Sequence, residues 1–374
     1  MKQHIYADNA ATTKLDKSAL ESMMPWLTEE YGNASQPYAF ARGPRKALAE
    51  ARQIIATAIN ATPEEIYFTS GGTESDNWAI KGSALLNTAK RTIITSSIEH
   101  HAVLHACATI EQMGYPVVYL PPCSDGLITE EALEKRITND TQLVSVMLTN
   151  NEVGTIEPVK ELAERSHKYG ALFHTDAVQA IGHIPVDVQE LGVDMLSASA
   201  HKFNGPKGVG FLFVRKGTDI KQLIDGGAQE QGGRAGTENI AGIVGMASAL
   251  KANVANMEEN ARHIAALERV LIQGISNLDY IRNGAIKHVP GNISLSFKNA
   301  DGEAILHRMD LKGISISTGS ACDSTNTQVS HVIRAIGVSE EYATGTIRIT
   351  LGKDNTEEEV RIIIAALTQI LGRY

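Results

Sequence analysis

Lys202 stands at the turn of the segment Ser197 to Val214, SASAHKFNGPKGVGFLFV, between a small-residue approach and the apolar run GFLFV. A lysine is costly to bury, so an amine fixed at a strand end beside Ser199 and His201 suggests a lowered pKa suited to covalent chemistry. Taken alone, the segment better fits a solvated lysine in a hairpin. Its companions shift that balance. Asp176 closes the buried run ALFHTD, Gln179 follows it closely, and Asn151 comes just after the apolar run QLVSVMLTN. His100 ends the strand-like stretch RTIITSSIEH, and Ser70, Gly71, Gly72 and Thr73 join the strand-like EIYFT to a helical pattern. Glycines between a strand and a helix let an anion approach unpaired backbone N–H groups, and the Thr73 hydroxyl can add a donor. The same letters could serve only as a helix cap, and the GK[ST] ending of a P-loop is absent.

One chemistry employs all of these residues. A pyridoxal phosphate site needs an amine for a Schiff base, a carboxylate that keeps the pyridine nitrogen protonated, and a helix N-terminus for the phosphate. Lys202, Asp176 and Gly71 to Thr73 meet those needs. Gln179, Asn151 and His100 lie just beyond predicted strands, where open α/β sheets bind ligands.

The elements that must position them alternate along the chain. Strand-like runs are followed by helical periods over Ser18–Trp26, Pro44–Thr57, Asp76–Leu86 and Val159–Tyr169, the pattern of a parallel sheet covered on both faces. Arg42, Arg45 and Arg52 are expected on a solvated helix face. From Ile240 to about Ile275 one long helix is predicted as a connector to a smaller second domain. That domain contains NISLSF, a helix over Glu303–Met309, GISIST, a polar loop over Cys322–Gln328, a helix over Ser330–Ile336, TIRITL and a closing helix over Glu357–Ile370. In TIRITL, Arg348 shares the polar face with Thr346 and Thr350, as on a surface strand.

With 374 residues the chain can form about two domains. A net charge of −9 with both signs scattered argues against direct nucleic-acid binding. No apolar run approaches the ~20 residues of a membrane span, and MKQHIYADNAATT lacks a signal-peptide core, so a cytoplasmic protein is expected. Cys107 falls on the apolar face of a helical pattern and Cys123 in a loop, whereas Cys322 follows GISIST in a loop without large apolar side chains. No disulfide framework or zinc spacing is present. A working cysteine would act as a thiol, and one with an ordinary pKa near ~8.5 needs a neighbour that favours the thiolate.

From YADNAATT to the last helix, the sequence resembles the cysteine desulfurases of the NifS and IscS type in the class V aminotransferase group. The motifs that carry the resemblance are SGGTESDN, EHHAV, NNEVGT, HTDAVQ, SAHKFNGPKGVG, RAGTENIAG and STGSAC. It implies a homodimeric α/β pyridoxal-phosphate-dependent transferase of fold type I. A large domain over 15–257 would hold a mostly parallel mixed sheet between helices, and 1–14 with 258–374 would form a smaller α+β domain. The resemblance also makes Lys202 the Schiff-base lysine, Asp176 the partner of the pyridinium nitrogen, and His100 a ring-stacked group and candidate proton carrier. Gln179 and Asn151 would contact the ring-oxygen side, and Gly72, Thr73, Ser199 and His201 the phosphate. Thr237 would reach the phosphate in the partner subunit. Arg348, assisted by Asn33, would grip the carboxylate of L-cysteine. Cys322 would take the sulfur as a persulfide, leaving L-alanine, and pass it to an acceptor, an iron–sulfur scaffold protein or a tRNA-thiolation enzyme. No resident metal is implied, although Cys322 could transiently ligate an iron–sulfur cluster. The alternatives are a selenocysteine lyase, another class V pyridoxal enzyme, and a non-catalytic sulfur-relay scaffold.

The sequence departs from the family pattern in three places. GNASQPYAFAR stands where the family usually has GNPSSxHxFG, so Ala34, Tyr38 and Ala41 replace Pro, His and Gly. ACDSTNTQVSHVI stands for ACTSxSLEPSHVL, and Asp323 beside Cys322 should disfavour the thiolate or alter acceptor contacts. The sequence ends at Tyr374, without the longer tail that housekeeping members use for scaffold docking, which leaves the acceptor open.

Overall fold

The alternating apolar runs assemble into a seven-stranded sheet. Its order is Ile66–Thr69, Gly210–Val214, Met195–Ser199, Leu172–Asp176, Thr141–Ser145, Thr92–Ser96 and Val117–Leu120. Only Gly210–Val214 runs against the others, pairing antiparallel with both neighbours. The computed structural model describes residues 4–86, 89–319 and 329–372. Helices cover both faces, so the central strands are buried throughout and read as nearly continuous apolar runs.

Two turns of this sheet matter for function. The helix Gly72–Ala84 starts immediately after the strand Ile66–Thr69, earlier than the Asp76 start expected from periodicity. Gly71 makes this possible with a φ of 150°, a conformation that side-chain-bearing residues rarely adopt. At Gly72 a Cβ would lie 2.6 Å from Val178 Cγ2, so the backbone there must stay bare. The second turn joins Met195–Ser199 to Gly210–Val214, with Ser199 opposite Gly210, through one short 3-10 turn over Ala200–Lys202. Asn204 and Gly208 take positive φ values to close it.

A second apolar core gathers Ile293, Leu295, Ile347, Ile349, Leu271, Ile363 and Leu367. It surrounds a three-stranded antiparallel sheet ordered Thr346–Thr350, Asn292–Phe297, Tyr280–Asn283, which packs with the helices Met257–Gly274 and Glu357–Leu371. The N-terminal strand Ile5–Tyr6 pairs in parallel with Ile314–Ser315, tying the first residues to this C-terminal unit. The expected single connector helix is two helices, Ile240–Ala255 and Met257–Gly274. Asn256 leaves helical geometry at φ −113° and ψ 12°, and its side chain donates to the Ala252 carbonyl at 2.8 Å. A capping side chain thus breaks a pattern whose hydrophobic period continues across it.

Two expectations about exposure fail. TIRIT is buried at every position, because Thr346 and Thr350 spend their hydroxyls inside the molecule: Thr346 bonds to Ser296 Oγ at 2.7 Å, and Thr350 accepts from the Ala10 amide at 2.9 Å. Arg52 is not on a solvated face. Its guanidinium makes two bonds to Glu230, at 2.8 and 2.7 Å, and lies 4.3 Å from the centroid of the Phe68 ring. The Glu230 side chain is 3% exposed and also accepts from the Phe68 amide. Arg52→Met would leave that carboxylate buried without its cation and is expected to cost roughly 3–5 kcal/mol, read as a fall in the urea midpoint. An unchanged midpoint would mean that the pair contributes nothing.

Candidate active site

The carboxyl ends of the parallel strands open on one cleft. Leu172–Asp176 delivers Asp176, and Gln179 follows on the turn beyond it. Thr141–Ser145 leads to Met147, Thr149 and Asn151, while Thr92–Ser96 leads to His100. The hairpin contributes Ser199, His201 and Lys202, and the start of Gly72–Ala84 contributes Gly72, Thr73 and Asp76. Arg348 and Gly319 close the cleft from the C-terminal unit.

The N-terminal segment straps this arrangement together. The Ala10 carbonyl accepts both Lys202 Nζ and Gln179 Nε2, and Lys202 Nζ also donates to the Ala11 carbonyl at 2.9 Å. Thr13 Oγ1 donates to the His201 carbonyl and accepts from the Asn204 amide, each at 2.8 Å. Asp176 Oδ1 accepts from the Val178 amide at 2.9 Å. Burial pushes the Asp176 carboxyl up to about 6, against the opposing pull of the Lys202 charge.

Three histidines in and beneath the cleft are neutral at physiological pH. His100 Nδ1 accepts from the Ala102 amide at 3.1 Å, which assigns its ring proton to Nε2. Burial, the Lys202 charge and the neighbouring histidines push its pKa down to about 4. His100 is therefore both the cap of the helix His101–Gln112 and a cleft residue. His201, 3.1 Å from Thr12 Oγ1 through Nδ1, is pushed down to about 4 by burial and the nearby lysines. His174, fully buried, bridges the hydroxyls of Ser145 and Ser197 at 2.9 Å each, and burial pushes it down to about 3.

Arg348 is buried. One Nη donates to the Asn151 carbonyl at 2.8 Å and the other to Asp8 Oδ1 at 2.9 Å, while Nε has no hydrogen-bond partner among the described residues. Asn33 and Thr237 do not line the cleft within one chain: Asn33 Oδ1 accepts from the Ser35 amide, and Thr237 is exposed. Cys322 and Asp323 lie outside the described residues. Cys107 is buried, with its thiol pushed up to about 12 chiefly by burial, and Cys123 is exposed.

Sequence reasoning passed over Asp76 and Thr149. Helical spacing carried the signal for Asp76, because it follows Gly72 by one helical turn and so shares its face. Thr149 gave no signal beyond its place after an apolar run.

The donor set fits pyridoxal phosphate. The cleft contains one amine, a buried carboxylate and a helix start, at Gly72, that no side chain caps. Two cleft oxygens, Asp76 Oδ1 and Thr149 Oγ1, are buried without a hydrogen-bond partner among the described residues, which suits a polar occupant. Gly72 keeps that helix start bare, since a Cβ there would meet the Val178 side chain at 2.6 Å.

The family model for class-V aminotransferases matches residues 5–363. A cysteine desulfurase IscS of Dictyoglomus turgidum is 48% identical, over 99% of this chain and 95% of its own length. One from Methanosarcina thermophila is 46% identical, over 98% and 92%. A solved NifS-like protein superposes with a TM-score of 0.94 at 41% identity, covering 100% of both chains. A structure described as SspA in complex with cysteine gives 0.84 at 36% identity, over 94% of this chain and 100% of the other. This chain therefore belongs to the class-V aminotransferase family, among its cysteine desulfurases of the IscS and NifS kind.

Proposed function

We propose that this protein is a pyridoxal-phosphate-dependent cysteine desulfurase. It takes sulfur from L-cysteine onto Cys322, releases L-alanine, and passes the sulfur to an acceptor protein, an iron–sulfur scaffold or a tRNA-thiolation enzyme. The observation that carries the reading is the convergence of Lys202, Asp176 and the uncapped helix start at Gly72 on one cleft. Relatives named cysteine desulfurase that match the chain nearly end to end support it. A relative solved with cysteine favours that amino acid as substrate. A cytoplasmic setting without membrane or nucleic-acid partners belongs to the same reading; among the described residues no helix is long and apolar enough to cross a membrane.

When bound, the cofactor supplies an electron sink for the bonds at the substrate α-carbon. Lys202 would hold it covalently through Nζ and later move the α-proton. Asp176 would keep the ring nitrogen protonated. Gly72, Thr73, Ser199 and His201 would hold the phosphate, and Gln179 and Asn151 the ring-oxygen side. His100 would lie against the ring with its Nε2 proton available for transfer. Arg348 would bind the cysteine carboxylate with the part of its fork not spent on Asn151 and Asp8, and Asn33 would assist. The Cys322 thiolate would attack the substrate sulfur. A sulfur–sulfur bond forms as the carbon–sulfur bond breaks, and the carbon fragment takes up a proton to leave as alanine.

A homodimer divided into the domains 15–257 and 1–14 with 258–374 completes the proposal. Separate apolar cores favour that division. The dimer is favoured by the exposed Leu20, Met24 and Leu27, which share one face of the helix Lys17–Thr28, with Tyr31 just beyond. It would also give the exposed Thr237 a phosphate to meet.

Cys322→Ala is expected to keep the visible absorption of the bound cofactor and lose sulfide release from cysteine, whereas Lys202→Ala should lose both the covalent cofactor spectrum and turnover. Desulfuration retained in Cys322→Ala would favour a selenocysteine lyase or another pyridoxal enzyme. A protein that never takes up the cofactor would favour the scaffold. Arg348→Lys should raise KM for cysteine roughly tenfold or more by losing a charge-assisted bond, with the cofactor spectrum unchanged. An unaltered KM would remove Arg348 from substrate binding. Sedimentation equilibrium should give twice the chain mass, and a monomer would take Thr237 out of the phosphate site.

A further inference from the structure

Asp76 has no part in the chemistry above, yet it lies on the floor of the same cleft. It projects from the first turns of Gly72–Ala84 and is 1% exposed. Ligand atoms of Asp76, Asp176 and His100 all lie within 4.8 Å of one another. Asp76 Oδ1 has no hydrogen-bond partner among the described residues.

The groups around Asp76 do not supply a charge for it. From the strand Leu172–Asp176 come Asp176, a second acid, and His174, whose Nε2 is 3.7 Å from Asp76 Oδ1. Burial keeps that ring neutral, and its two nitrogens are taken up by the Ser145 and Ser197 hydroxyls. From the turn before His101–Gln112 come Glu99, another buried acid, and the neutral His100. The strand Met195–Ser199 offers the Ser197 hydroxyl. The cleft's amine, Lys202, acts on Asp176. Two buried carboxylates this close cannot both ionise against one amine at neutral pH, because each lacks the water that would screen the other. Asp176 has a backbone donor in Val178 and the amine's field, so it is the member that keeps the charge. Burial and the Asp176 charge push the Asp76 carboxyl well up.

We propose that Asp76 is the protonated member of the Asp76–Asp176 pair, a neutral buried acid that acts as a positioning residue by leaving Asp176 as the single negative charge facing the cofactor's ring nitrogen. The consequence for the ring nitrogen rests on the pyridoxal phosphate reading. The location of the proton does not.

The test is the pH dependence of stability in Asp76→Asn, an isosteric side chain that is always neutral. A folded carboxyl pKa raised above the unfolded one stabilises nothing at neutral pH. The folded protein must hold a proton that the unfolded chain releases, so stability falls as pH rises from the unfolded value near ~4 to the folded one. The variant escapes this loss. With cofactor absent, its folded-to-unfolded ratio relative to the parent should therefore rise about tenfold per pH unit above pH ~4 and be flat below it. A pH-independent difference, as from a purely structural role, would overturn the proposal. So would a variant that falls further behind as pH rises, as expected if Asp76 were ionised and paired.

Should Asp76→Asn fail to fold, infrared spectra of the full-length parent with isotope-labelled aspartate side chains give a second reading. A protonated aspartate band should persist at pH 7.5 in the parent, and its absence overturns the assignment. Neither measurement uses the cofactor, so failure here would leave the desulfurase reading to its own tests.

Discussion

The carbonyl of Ala10 is the contact on which the site's geometry depends. It receives Lys202 from the hairpin and Gln179 from the turn after Asp176, while the Ala10 amide is bonded to Thr350 in the C-terminal sheet. One residue of the N-terminal segment thus fixes an amine and an amide of the large sheet against the strand that carries Arg348. Because Ile5–Tyr6 pairs with Ile314–Ser315, that residue is held by the C-terminal core. The cleft is accordingly defined by both apolar cores, joined through a strap of a few residues. Backbone acceptors suit this duty: they orient an ammonium without neutralising it, so the amine keeps its chemistry for a ligand.

Behind the cleft wall burial suppresses charge. The Glu99 carboxyl, beside His100 in the chain, is pushed up to about 8 by burial, and that of Glu152, beside Asn151, to about 7. His100, His174 and His201 are pushed the other way and stay neutral. Lys202 acts on Asp176, and Arg348 pairs with Asp8. On the proposed function, the first pair would face an aromatic cofactor with a basic nitrogen and Arg348 a substrate carboxylate. The surplus of acids in the composition therefore says little about the site, because burial raises the pKa of several of the buried ones towards neutrality or above.

The central sheet was legible because its strands are buried on both faces and so read as apolar runs, each ending in polar residues. Lys202, Asp176 and His100 were found through that rule, and the cleft does lie at the carboxyl ends of those strands. What misled the reading was side-chain commitment that leaves no mark on periodicity. Asn256 caps one helix inside a continuous hydrophobic period, and Thr346 and Thr350 hide in a core by bonding to other strands. Arg52 looked solvated because its partner, Glu230, is far along the chain and its ring contact, Phe68, lies in another element. Asp76 was missed for a related reason: an acid near the start of a helix is ordinary at a surface, and its spacing from Gly72 does not by itself say that their shared face is the floor of a cleft.

The same logic distinguishes what must be rigid from what may vary in such an enzyme. The groups proposed to touch the cofactor within one chain sit at strand ends, at helix starts or in the turns just beyond the strands. Arg348 sits in a strand bonded on one side to Asn292–Phe297 and bridged at Ser317 on the other. Ser317 begins the segment that leads towards Cys322, and on the far side Ser330 is anchored by donating to Glu152 at 2.5 Å. The two ends of that segment are therefore pinned to the same walls that hold Arg348 and Asn151. A substrate carboxylate bound at Arg348 would place the substrate sulfur by reference to the frame from which the Cys322 segment departs. On the proposed function, departures from the family pattern inside the segment would bear on the acceptor rather than on the carboxylate or the amine.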